Sequence, residues 1–151
     1  MRRLVLSCRV ERDRPEVIND AGLAVLEWAI RRLDGLRYAA LDLSTAGGDP
    51  VRPDRVDAPE GIIIAGGRSG RVVVSHFING KPSELWWLAL PERGQGTEQG
   101  AVGGQDIESP ARWWVEPAIA IRAAGHYLEW QQRDPGLTWE PDPGRDRPKR
   151  A

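Results

Sequence analysis

Two histidines and one pair of carboxylates are the residues in this sequence whose types and spacing could perform acid–base chemistry. His76 lies in an apolar run that predicts a strand, and His126 lies on the polar side of a predicted helix, so nothing in the pattern brings them together. Asp106 and Glu108 would face the same side of a strand, as a hydrolase could require, or they could form a solvated strand edge. No cysteine or carboxylate stands at metal-ligand spacing around either histidine, so we expect no metal site.

Two glycine-rich stretches could in principle hold a phosphate group. A phosphate loop needs a helix directly after it, because the helix N-terminus must face the anion. Residues 66–70 are followed instead by three consecutive valines, which favours a plain hairpin turn. Residues 100–104 lack the strand–turn–helix frame of a dinucleotide-binding fingerprint. We therefore expect no cofactor.

Four of the seven tryptophans stand in adjacent pairs, Trp86-Trp87 and Trp113-Trp114. In a strand the two members of such a pair point to opposite faces of the sheet. One member could then enter the core while the other anchors a partner or lies beneath a covering segment. The sequence leaves open whether these four side chains belong to the core or to an interface.

The composition indicates a single globular domain. We predict that residues 1–140 form this domain and that residues 141–151, rich in Pro, Gly and charge, form a disordered tail. The net charge of −1, with both signs dispersed, argues against a nucleic-acid binder. The single cysteine, Cys8, is expected to be a buried hydrophobe. The N-terminus resembles neither a signal peptide nor a membrane span, so we expect no membrane association and a cytoplasmic protein.

Hydrophobic periodicity predicts two amphipathic helices among several strands. The first helix is expected to open at Asp13–Pro15 and to end near Asp34-Gly35, and the second to run over residues 117–132. Residues 44–59 are expected to form a loop. Residues 91–105 are either a long excursion or two poor strands joined by a turn. The apolar arc of the first helix holds Val17, Ile18, Ala21, Ala24, Val25, Trp28, Ala29 and Leu33, and that of the second holds Ile119, Ala120, Ala123, Ala124, Tyr127 and Trp130.

The remaining apolar segments predict strands over residues 3–10, 36–43, 61–65, 71–78, 84–90, 105–108 and 137–140. Asn79-Gly80 is the strongest hairpin signal, because both residues tolerate positive φ. The predicted fold class is α+β, with a mostly antiparallel sheet of about five to six strands and two helices packed on one face.

From about Gly61 onward the chain resembles a family of bacterial immunity proteins, immunity family one, whose members are encoded beside polymorphic toxins. The match begins with the glycine-flanked strand at residues 61–67 and the strand at 71–78. It continues with the hydrophobic-Pro start of the last helix at Trp114–Pro117, the alanine-rich helix around Gly125, and the closing segment with Trp139. The first helix and second strand fit the front half of the family more loosely.

The resemblance implies a function in binding, without catalysis. Such proteins bind a cognate toxin domain and block it, and this family often neighbours toxins of the nucleic-acid deaminase type. It implies no catalytic residue, and we expect a monomer in a 1:1 complex. Gly125 and Trp139 match the family pattern, and together with Trp130 on the inner arc they are interpreted as structural residues.

Charge indicates where a toxin would bind. Toxins that act on nucleic acid present basic clefts, so an inhibitor would present acidic groups. We predict toxin contacts in the polar, glycine-rich region of residues 92–108, with further acidic groups on the first helix. Two alternatives stay open: an interaction domain without a toxin partner, and a small hydrolase using Asp106, Glu108 or His76. The predicted toxin-binding residues are Glu92, Glu98, Asp106 and Glu108, and the acidic residues of the first helix are Glu16, Asp20 and Glu27.

Overall fold

The computed structural model describes residues 3–45 and 58–145. These residues form ten strands and two α-helices, joined by short turns and three 3₁₀ segments. In chain order the elements are β1 (Leu4–Val10), β2 (Glu16–Asn19), α1 (Leu23–Arg31), β3 (Tyr38–Thr45), β4 (Glu60–Gly66), β5 (Val72–Ile78), β6 (Glu84–Ala89), β7 (Thr97–Val102), β8 (Gln105–Pro110), β9 (Trp114–Val115), α2 (Pro117–Trp130) and β10 (Thr138–Pro141).

The main sheet contains eight antiparallel strands in the described residues. Its order is β10-β6-β5-β4-β3-β1-β2, and β9 pairs with the first two residues of β5. The α+β class and the mostly antiparallel sheet are confirmed. The predicted size of five to six strands is wrong, because β2 and β9 have only four and two residues and are too short to give a periodic signal. The uninterrupted apolar run of β4 lies at the sheet centre, as expected.

Both helices pack on one face of this sheet. Alternate residues of five neighbouring strands face the helices, and Leu6, Ile62 and Ile64 are fully buried there. Cys8 lies on the same face and is buried, as its spacing predicts. Gly125 lies where the helices approach, because a Cβ there would stand 3.2 Å from the Leu23 Cδ1. Its structural interpretation fits this contact.

The first part of the predicted first helix is a strand. Glu16–Asn19 pairs with β1 as β2, and the helix begins only after Gly22. The β-branched Val17 and Ile18 suit this hairpin, and Asp20 adopts a positive φ of 55° between the two elements. The inner stripe of α1 is displaced from the predicted arc and holds Leu26, Ala29 and Ile30, and Leu33 is buried just after the helix ends.

Trp130 does not lie in the core. Its side chain is 57% exposed, although the sequence places it on the inner arc of the second helix. The buried stripe of α2 is narrow, since three of its four residues are alanines and only Tyr127 is large. Trp130 is the last helical residue, and Gln131 then turns into the left-handed region. Its ring therefore lies beyond the edge of the stripe.

The ordered domain extends past residue 140. Pro141 belongs to β10, and a 3₁₀ turn follows over Pro143–Arg145. The Asp142 amide donates to the Leu85 carbonyl at 2.9 Å, which explains why the chain continues along the sheet. Residues 141–145, which the sequence assigns to the tail, thus form the end of β10 and a 3₁₀ turn. Residues 146–151, and residues 46–57 of the predicted loop, lie outside the described part of the chain.

A candidate protein-binding hairpin

Residues 97–110 form a β-hairpin that is a separate two-stranded sheet. Its turn consists of Gly103 and Gly104, with φ values of 60° and 78°. Two consecutive positive φ values are what a tight type I′ hairpin turn requires. Residues 91–105, predicted as a long excursion or as two poor strands, contain one strand, β7, and it pairs with the strand predicted over residues 105–108, which extends to Pro110 as β8.

The hairpin is fixed to the main sheet by a close contact with Trp114. This indole is 1% exposed, and a Cβ on Gly100 would stand 2.0 Å from its Cη2 atom. Only glycine therefore lets β7 approach this closely. An ion pair between Arg71 and Glu98 adds a second attachment. The hairpin thus has a defined position relative to the sheet.

Asp106 and Glu108 lie on the same side of β8, as their spacing predicts. They stand opposite Ala101 and Gln99 in the hairpin register. The Asp106 side chain is 80% exposed and lies 3.9 Å from the Arg68 guanidinium, a distance at which an exposed pair contributes little. Glu108 is exposed and accepts a hydrogen bond of 2.6 Å from Thr97. Both carboxylates are open to a partner.

The other two predicted toxin-binding residues differ in placement. Glu92 is exposed in a 3₁₀ turn, Pro91–Arg93, which precedes the hairpin. Glu98 is only 22% exposed and paired with Arg71, so its expected exposure is wrong. The pair joins residues that are distant along the chain, and charge spacing alone gives no sign of it.

An open cleft of about 370 Å³ separates the hairpin from the β4–β5 turn. Of the three residues proposed for a hydrolase, only Asp106 lines it; neither Glu108 nor His76 does. Acid–base catalysis with these groups would need at least two of them at one substrate position. This cleft therefore does not bring the three groups together. Its lining residues are Arg68, Ser69, Gln99, Gly100, Ala101 and Asp106.

His76 belongs to a buried polar cluster on the helix face of the sheet. It is 3% exposed, its Nε2 atom lies 2.9 Å from a Glu60 carboxylate oxygen, and its ring contacts Tyr127. Burial lowers the pKa of His76, against the hydrogen bond and charge of Glu60, which raise it. Burial likewise raises the pKa of Tyr127. No sequence pattern joins these three positions, so the cluster could not be predicted from the sequence.

Within the described residues, no group of three or more His, Cys, Asp or Glu side chains could hold a metal ion.

Three of the four paired tryptophans are fixed by internal contacts on the other face of the sheet. Trp87 and Trp113 stack with ring centroids 4.5 Å apart. The Trp113 indole and the Arg112 guanidinium both donate to Glu140. Burial would raise the pKa of Glu140, but these hydrogen bonds lower it. Together with buried Trp114, these side chains belong to the scaffold.

Trp86 and Trp139 lie on the helix face. Trp86 is half-buried, with the Arg133 guanidinium 4.1 Å from its ring centroid. Trp139 packs against the core and donates to the Asp134 carbonyl at 3.2 Å. These contacts attach the segment after α2 to the sheet.

The acidic residues expected on the first helix are all engaged by arginines. Only Glu27 is in α1, where it pairs with Arg31 at 3.1 Å. The other two pairs are Glu16–Arg32 at 2.6 Å and Asp20–Arg3 at 3.0 Å. This part of the surface therefore carries little uncompensated negative charge.

In the part of the chain that the structure covers, neither helix is long and apolar enough to cross a membrane.

A scan against protein-family models gives no match, and a search of curated proteins also gives none. The function must therefore be argued from the geometry and from the sequence resemblance.

Proposed function

We propose that this chain is an immunity protein that binds a cognate bacterial toxin domain and covers its active site. The proposed toxin is of the nucleic-acid deaminase type, and neutralisation takes place in the cytoplasm, in a 1:1 complex. The observation that carries the proposal is the β7–β8 hairpin, which holds Asp106 and Glu108 exposed on one side of β8. The resemblance to immunity family one supports the same function.

The hairpin suits a basic partner. A cleft that binds nucleic acid carries positive potential, and exposed carboxylates opposite it accelerate encounter. The contact between Gly100 and Trp114 fixes the strand that pairs with β8. A fixed strand loses little conformational entropy when it binds. Glu92 adds a third exposed carboxylate in the segment before the hairpin.

Co-expression tests the proposal directly. The toxin domain should be encoded at the C-terminus of a large secreted protein, in the gene immediately upstream. Cells producing that domain should grow when this chain is co-expressed. Continued killing, with the chain present as folded protein, would contradict the proposal and leave an interaction domain without a toxin partner.

A matched pair of variants tests the role of the hairpin. Asp106→Lys combined with Glu108→Lys should weaken toxin binding, with the largest loss at low salt. Asp13→Lys combined with Glu129→Lys introduces the same charge change at exposed positions elsewhere. An equal loss of toxin affinity in the two double variants would show that net charge matters and that the position of the charges on the hairpin does not.

A further inference from the structure

The hairpin tip touches the turn between α1 and β3. The Gly104 amide donates to the Gly35 carbonyl at 3.0 Å. Gly35 has a φ of 74°, and a Cβ there would stand 2.6 Å from the Ala101 carbonyl oxygen. The turn itself is fixed, because the Asp34 carboxylate accepts from the Leu36 and Tyr38 amides. The surface is therefore continuous from the hairpin to the end of α1.

Beyond this turn the surface contains a stack of aromatic rings around an arginine. The Arg32 guanidinium lies 4.1 Å from the Trp28 ring centroid and 4.4 Å from that of Tyr38. Glu16 accepts a hydrogen bond of 2.6 Å from the same guanidinium. Arg32 is only 16% exposed, so it acts as a fixed support for Trp28.

Two large apolar side chains are exposed on α1 and on the turn that follows it. Trp28 is 52% exposed and Leu36 is 45% exposed. Of the nearby acidic groups, Glu16 pairs with Arg32 and Glu27 with Arg31, while the Asp34 carboxylate accepts hydrogen bonds from backbone amides. Apolar anchors without uncompensated charge are typical of the centre of protein–protein interfaces, whereas charged residues are depleted there.

We infer that Trp28 and Leu36 form the apolar anchor of the toxin interface, beside the acidic hairpin. This inference rests on the proposed function and adds the chemistry of the partner. The toxin domain would present an apolar surface next to its basic cleft, so that the carboxylates face the cleft while Trp28 packs against its apolar margin. Two observations support this occupant: the continuity with the hairpin through Gly35 and Gly104, and the pairing of the acidic groups beside Trp28 with arginines.

The two parts of the surface should act on different rate constants. Exposed carboxylates mainly change the association rate and its dependence on salt. A tryptophan that becomes buried in the complex mainly changes the dissociation rate. Because Arg32 already holds the Trp28 ring in place, little side-chain entropy is lost on binding.

Binding kinetics with the toxin domain from the upstream gene test this division. Trp28→Ala should raise the dissociation rate by about thirty-fold or more, as expected for an aromatic anchor. Leu36→Ser should raise it less, and Trp28→Phe should retain most of the affinity. The control is Trp130→Ala, which removes an equally exposed tryptophan on α2, where the ring contacts His126. It should change the dissociation rate by less than about two-fold.

Each outcome supports or overturns the inference. A Trp28→Ala protein that is folded by thermal denaturation but releases the toxin as slowly as Trp130→Ala overturns the anchor and leaves the proposed function standing. A native chain that does not bind the toxin overturns both. Sedimentation of the chain alone tests for a self-interface, and a dimer that Trp28→Ala dissociates would also overturn the inference.

Discussion

The β7–β8 hairpin and the closing segment from Arg112 to Pro141 use polar side chains in opposite ways. In the closing segment, Glu140 receives hydrogen bonds from Arg112 and Trp113, and Trp139 donates to a carbonyl. In the hairpin, Asp106 is largely exposed and only weakly paired. The closing segment therefore uses its polar groups to stabilise the fold, whereas the hairpin leaves Asp106 and Glu108 available to a partner.

The largest expected effect comes from the tryptophan that joins the two regions. Trp114→Ala should lower the free energy of unfolding by about 3–5 kcal/mol, because it empties a fully buried site beneath the hairpin. Trp130→Ala should change it by less than about 0.5 kcal/mol, since that ring is exposed. Urea denaturation measures both. Equal losses would contradict the assignment of Trp114 to the scaffold and Trp130 to the surface.

A pair of glycine substitutions tests how the hairpin is positioned. Gly100→Ala places a Cβ against Trp114 and should cost about 1–3 kcal/mol of stability. It should also displace β7 and weaken toxin binding. Gly96→Ala is the matched control, since a Cβ there meets no atom within 4 Å. If both variants bind toxin equally well, the position of the hairpin is irrelevant to binding.

Removing the charge of Glu140 should have a smaller effect. Glu140→Gln weakens the hydrogen bonds from Arg112 and Trp113 and should lower the free energy of unfolding by about 1.5 kcal/mol. Glu108→Gln, in the exposed hairpin, should change stability by less than about 0.5 kcal/mol. Chemical denaturation of the two variants compares a structural carboxylate with an available one. The reverse order would invalidate the comparison.

Periodicity predicts those parts of the fold whose strands and helices are long. The uninterrupted apolar run of β4 and the Pro-started helix α2 are both found where the sequence places them. The conformation of short elements is not predicted, because it depends on their pairing with other strands. An example is β2, whose four residues continue a helical pattern in the sequence. Pairing between distant residues is also invisible in one sequence.

The candidate site was predictable only in part for the same reason. Strand geometry alone predicts that Asp106 and Glu108 face the same side of β8. The burial of Glu98 depends on Arg71, and the close approach at Gly100 depends on Trp114. The exposure of Trp28 was not predicted, because the sequence pattern places the start of the first helix at residues 13–15. The helix begins only at Leu23, and its buried face differs from the predicted one.

Mild acidification should give the smallest effect, through the buried cluster. Burial lowers the pKa of His76 below its ordinary value of 6.5, although Glu60 raises it. Because the unfolded chain then binds a proton more readily than the folded chain, the contribution of neutral His76 to the free energy of unfolding is complete above pH 6.5. It is lost as the pH falls through the lowered pKa. His76→Asn should flatten the pH dependence of unfolding in that window, and an unchanged slope would contradict this origin.

Hydrogen–deuterium exchange with and without the toxin domain tests the central claim most directly. The account predicts slower amide exchange in the complex for residues 97–110 and for the turn at residues 34–37. Exchange in β10 should be unchanged, because its polar groups are already engaged within the fold. New protection confined to the closing segment, with none in the hairpin, would contradict the account.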